Sequence, residues 1–221
     1  MNLTRSLKVG LLFVLTAWLQ GCFPSFDHPV VELNAAARDE RLLGLWEADM
    51  DYFKDMEKGD CGFLLFLPCD AGYCITMYTV EEGRGDAVHL TGYAQVIDSI
   101  GYLNYQYYEV DSQEEGHHLL QYQLLADGNL VLNLVDNKKL EEAIAAGTIA
   151  GTVSEEPDTF WSVKDVRVSS SREELLRFLK EHDIFTSQPF GVFRQTPDAM
   201  VEKVKKALWE TSAGPAAESE K

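Results

Sequence analysis

Four cysteines, two adjacent histidines, a dense run of carboxylates and a concentration of tyrosines are the groups in these 221 residues with chemistry to offer. Cys61 and Cys69 bracket an apolar run that, fully extended at about 3.3 Å per residue, holds them roughly 26 Å apart. A disulfide needs its Cα atoms within about 7 Å, which a turn between Cys69 and Cys74 supplies. The expected disulfide is therefore Cys69–Cys74, with Cys61 outside it. The three cysteines lack the short ligand pairs of a zinc site. His117 and His118 fall in a segment of strand character, where neighbours point to opposite faces, so they are expected at a solvated strand end and not on one metal ion. Asp49, Asp51, Asp55, Glu57 and Asp60 offer oxygens to a hard cation, but their spacing is not that of a calcium-binding loop, and no metal is assigned. Arg84-Gly85-Asp86 reads as a glycine turn. The sequence contains no G-x-S-x-G, H-E-x-x-H or phosphate-loop motif, so no catalytic residue, cofactor or enzyme activity is assigned.

Tyr93, Tyr102, Tyr105, Tyr107, Tyr108 and Tyr122 crowd three successive strand-like segments. In a barrel wide enough to hold a cavity they line a pocket for a small apolar or amphiphilic ligand; in a filled barrel they are ordinary packing.

The N-terminus has a different character. Arg5 and Lys8 precede 11 mostly apolar residues from Val9 to Leu19. That is the length of a secretory signal core and too short to cross about 30 Å of hydrocarbon, which takes about 20 residues. Residues 1–21 are read as a signal peptide. Leu19-Gln20-Gly21-Cys22 resembles the lipobox of bacterial lipoprotein precursors, with Gln20 where that family prefers a smaller residue. The resemblance implies that Cys22 becomes the N-terminus and carries acyl chains, palmitate among them; two or three such chains make a durable membrane anchor. In the enteric sorting pattern an Asp after that cysteine retains a lipoprotein at the inner membrane. Phe23 stands there instead, which implies an outer-membrane anchor facing the periplasm.

Without residues 1–21 the chain keeps 17 cations against 36 acidic residues, a formal charge of −19. Such a surface disfavours nucleic acid and anionic headgroups. An apolar fraction of 46% excludes a disordered chain. Residues 22–41 read as a lipidated tether punctuated by Pro24 and Pro29. From Leu42 the chain is a succession of β-type runs over 43–48, 62–67, 73–80, 87–97, 102–110, 117–125 and 130–135, separated by short turn clusters that only antiparallel neighbours can use. Leu120, Tyr122 and Leu124, and Leu130, Leu132 and Leu134, show the two-residue period most clearly. Asp136 caps a helix over 138–146 with Gly147 as its stop, and 160–168 is expected as the eighth strand. Ser171 and Glu174 form a capping box for a second helix. An amphipathic helix presenting Met200, Val201, Val204 and Leu208 closes the pattern over 196–210, and 211–221 is a polar tail.

Eight antiparallel strands over 42–195 close most economically as an up-and-down barrel, because closure removes exposed edges. Gly44-Leu45-Trp46 on the first strand resembles the G-x-W signature of lipocalins, in which the tryptophan closes the barrel base against an arginine of a late strand. The resemblance assigns that arginine to Arg167. Two readings follow: a lipid-anchored envelope protein binding a small apolar ligand, or a structural or assembly lipoprotein contacting another envelope protein through its surface and C-terminal helix.

Overall fold

The computed structural model describes residues 23–31, 38–49, 61–81, 84–108, 116–155 and 164–197. In chain order the strands are β1 (Ser25–Phe26), β2 (Gly44–Ala48), β3 (Cys61–Cys69), β4 (Gly72–Glu81), β5 (Arg84–Ile97), β6 (Ile100–Tyr107), β7 (His118–Leu124), β8 (Asn129–Leu134), β9 (Gly151–Glu155), β10 (Lys164–Val168) and β11 (Gly191–Gln195), with α1 (Asn137–Ala145) before β9 and α2 (Arg172–Glu181) before β11. β2 to β8 pair with their sequence neighbours, and β11 closes them into an eight-stranded antiparallel barrel by bonding to both β8 and β2. The expected barrel and its first seven strands are present.

Local chemistry sets these elements. Asp98 and Ser99 both adopt positive φ, 51° and 71°, which gives the two-residue β5–β6 turn the twist a hairpin needs. Asp136 caps α1 by accepting from the Lys138 amide, and Ser171 and Glu174 cap α2 reciprocally, as their spacing predicts. Strand alternation then sorts the side chains into two large cores and a small outer cluster of Leu45 and Leu65. Leu64, Phe66, Ile75, Leu103, Leu130 and Phe193 fill the barrel, each at most 5% exposed. On the outside, Tyr102 and Leu119 pack with Phe26, Val168, Leu175 and Phe178 beneath the helices.

Two expectations need correction. The eighth barrel strand is not 160–168. β10 pairs with β9 and, in parallel, with β1, forming a separate three-stranded sheet outside the barrel, and β11 takes the closing place. Nor is the stretch after Cys22 a free tether. Ser25, Phe26, Val30 and Val31 are buried, and 23–31 lies on the domain as a strap. Its Phe26 exchanges two backbone hydrogen bonds with His117, Asp27 pairs with Arg167, the Arg172 guanidinium donates to the Val30 carbonyl, and the Val31 amide donates to Asn104. The burial of Phe26, Val30 and Val31 and these hydrogen bonds and ion pair together offset the entropy of ordering the segment, which none of them would cover alone. The C-terminal helix expected over 196–210 lies outside the described residues beyond Pro197, as do Cys22 and the signal peptide.

Candidate functional site

One end of the barrel is plugged. A 3₁₀ turn, Glu40–Leu42, precedes β2 and inserts Leu42 into the interior at 1% exposure. Trp46 follows on β2, equally buried, and its indole nitrogen donates to the Leu42 carbonyl at 2.8 Å. Gly44, between them, sits at φ +118°, a conformation that bends the chain from plug into strand and that side chains rarely adopt.

Asp39 organises the polar rim of this plug. Its carboxylate caps the 3₁₀ turn through the Arg41 amide and receives a two-pronged contact from the Arg41 guanidinium at 2.8 and 2.6 Å. The Tyr122 hydroxyl donates to the same carboxylate at 3.0 Å, and the Tyr73 hydroxyl donates to the Asp39 carbonyl, also at 3.0 Å. The Arg41 hydrogen bonds hold the Asp39 carboxyl below its ordinary range against the opposing effect of burial. Burial raises Tyr73 and Tyr122, and the Asp39 charge raises them further, so both stay protonated donors. These contacts join the Asp39 carboxylate, the Arg41 guanidinium and the Tyr73 and Tyr122 hydroxyls into one network that holds the plug in place.

Gly101 shows how tightly the same end is packed. A Cβ there would lie 2.6 Å from the Tyr122 ring, so the ring lies flat on the β6 backbone in space that only glycine leaves.

The residues assigned to barrel closure divide. Gly44 and Trp46 are at the plug, but Arg167 is on β10 outside the barrel, with its Nε 2.7 Å from Asp27. The strand beside β2 is β11, which sets Gln195 opposite Trp46 and sends Arg194 to Asp49 at 2.7 Å. Trp46 therefore meets a backbone carbonyl of the plug where the resemblance implied an arginine.

The tyrosines do not converge on one pocket. Tyr93 and Tyr102 face outward into the core beneath the helices, whereas Tyr105, Tyr107 and Tyr122 take the inward side of their strands. Tyr108 is 69% exposed. At the end opposite the plug, Tyr105 stacks on His118 with ring centroids 5.1 Å apart, and Tyr107 meets that imidazole edge-on at 5.6 Å.

The expectation of a solvated histidine pair fails for His118, because the strap covers it. It is 9% exposed, with Nδ1 3.1 Å from the Pro24 carbonyl; a carbonyl only accepts, so Nδ1 carries the proton. Burial lowers the affinity of both imidazoles for a second proton, and at His117 the neighbouring His118 and His28 add to that effect. Cys69 and Cys74 are joined across the β3–β4 turn with Cα atoms 5.3 Å apart, and Cys61 lies outside the disulfide. Gly85 and Asp86 pair with Val80 and Thr79, so the Arg-Gly-Asp triplet belongs to a strand. Of the carboxylate run, Asp49 is engaged by Arg194, while Asp51, Asp55, Glu57 and Asp60 lie outside the described residues.

Outside the barrel, a groove of about 330 Å³ runs between α2 and the β5–β6 hairpin, floored by Tyr102, Leu176 and Leu179. The Lys180–Asp98 ion pair, 2.9 Å long, crosses its rim. Among the described residues no three His, Cys, Asp or Glu side chains gather as a metal site, and no helix is long and apolar enough to cross a membrane.

Sequence reasoning missed Asp39, which it placed in a tether. The signal was present: an Asx residue followed by Glu-Arg and two leucines is a helix-start pattern directly ahead of Gly44. No model of a known protein family matches the chain, and no curated protein or solved structure is significantly similar to it.

Proposed function

We propose that this protein is a lipid-anchored envelope lipoprotein whose barrel serves as a rigid structural or assembly module, neither an enzyme nor a carrier of a ligand inside the barrel. The observation that carries this reading is the filled and plugged interior. Trp46, Phe66, Tyr73, Leu103, Tyr122 and Leu130 pack together inside the barrel, where an eight-stranded barrel holds either side chains or one small ligand, and Leu42 stoppers one end. The anchor rests on the lipobox at Cys22, and the docked strap that starts at Phe23 suits a chain whose first residue is membrane-bound. Contact with another envelope protein then falls to the outer surface, where the groove beside α2 combines apolar walls with the Lys180–Asp98 rim.

Native mass spectrometry of the protein extracted from membranes in mild detergent tests this. The expected mass is the chain from Cys22 plus its acyl groups, with cross-linking before extraction adding a second protein. A stoichiometric small lipid retained without covalent attachment overturns the filled-barrel reading, and a Cys22→Ser variant that remains membrane-bound overturns the anchor.

A further inference from the structure

We infer that the domain is not free to swing on its anchor but is held with one defined end toward the bilayer: the His118 end of the barrel, opposite the Asp39 plug. This rests on lipidation of Cys22 and adds the orientation that the strap imposes.

Cys22 precedes Pro24 by two residues and so lies within about 7 Å of it along the chain. The Pro24 carbonyl is fixed on the imidazole of His118 at 3.1 Å, and Phe26 is fixed on the backbone of His117. β7 then carries the chain away from that point over His118–Leu124, roughly 20 Å of strand, and on its way Tyr122 reaches the Asp39 plug. An acyl group on Cys22 therefore enters the membrane beside His118, and the plug is the distal end. A flexible tether of about 20 residues has a root-mean-square reach of roughly 25 Å and orients nothing. The strap removes that freedom with backbone, ionic and apolar contacts at Pro24, Phe26, Asp27, Val30 and Val31.

A second observation agrees. Tyr108, at the end of β6 on the same side, is 69% exposed although its amide is fixed on the His89 carbonyl. A tyrosine presented outward is the side chain that sits well at a membrane–water interface, with its ring among glycerol groups and its hydroxyl in water. The acidic chain favours an uncharged bilayer for this contact, because anionic headgroups repel it.

The test is depth-dependent quenching of the acylated protein in phosphatidylcholine vesicles containing a headgroup-spin-labelled lipid. Bimane is attached at Tyr108→Cys or, at the opposite end, at Ala126→Cys, each with Cys61→Ser so that the label has one site. Quenching at 108 should exceed that at 126 several-fold, and a Gly-Ser linker inserted between Phe23 and Pro24 should abolish the contrast. Equal quenching, or stronger quenching at 126, in protein whose N-terminal peptide carries the acyl mass overturns the orientation and leaves the lipoprotein reading intact. A contrast that survives the linker also overturns it, since the strap would not be what orients the domain. An N-terminal peptide without acyl mass overturns both readings.

Discussion

The Tyr122 hydroxyl donates a hydrogen bond to the carboxylate of Asp39 at 3.0 Å, tying an inward residue near the end of one barrel strand to a turn 83 residues earlier. With the Tyr73 hydroxyl on the carbonyl of the same aspartate, it fixes the 3₁₀ plug across the barrel mouth.

Removing that hub should loosen the plug. Asp39→Ala deprives the Tyr122 hydroxyl of its acceptor and the 3₁₀ turn of its cap, and a buried donor left unpaired costs about 1–3 kcal/mol. Urea denaturation should report a loss in that range, with Asp39→Asn losing less because its amide oxygen still accepts. A variant as stable as the parent would mean the plug is held by Leu42 alone.

Trp46→Ala should be more severe, at about 3–5 kcal/mol, since it empties a large part of the interior and frees the Leu42 carbonyl. Trp46→Phe separates the two effects: it refills most of the space and forfeits the hydrogen bond, worth about 1 kcal/mol. Equal losses in the two variants would show that the indole N–H, not the volume, carries the effect.

Stability should fall on both sides of neutrality for different reasons. His117 and His118 have proton affinities lowered by burial, so the unfolded chain takes up protons first as pH drops below about 6.5, and folding weakens through that window. Asp39, lowered by Arg41, adds a second loss only below its ordinary value of 3.8. Tyr73, Tyr105 and Tyr122 are raised, chiefly by burial, so their contribution is complete below about pH 10 and is lost above it. Melting temperature measured against pH checks the signs. In His118→Gln the slope between about pH 6.5 and 5 should flatten; an unchanged slope would assign it elsewhere.

Opening the Cys69–Cys74 disulfide with a Cys74→Ser change should cost about 2 kcal/mol, the loop-closure entropy of so short a ring, and leave the β3–β4 ladder in place. Non-reducing peptide mapping of the parent should recover these two cysteines linked, and a linkage through Cys61 would contradict the β3–β4 register.

Gly101→Ala should destabilise by about 1–3 kcal/mol, because the new methyl group meets the Tyr122 ring and must push it off Asp39. If Tyr122→Leu restores the loss in the double variant, the clash is with the ring; if not, the β6 backbone itself demands glycine.

Seven barrel strands, both helix caps and the disulfide were readable from the sequence because each depends on residues a few positions apart. The alternation of Leu130, Leu132 and Leu134 declares a strand, Ser171 with Glu174 declares a helix start, and Cys69 with Cys74 flanks one turn. Tertiary structure alone decided which strand lies beside β2. β10 has strand character, but β9 and β1 satisfy its two edges, so the short β11 closes the barrel and Arg167 falls outside it. Likewise nothing near His117 and His118 announces that a strap from 90 residues away covers them, or that Asp39 finds Tyr122. Local periodicity is set by backbone geometry within a few residues; competition among distant edges and apolar surfaces for one another is settled only when the whole chain has packed.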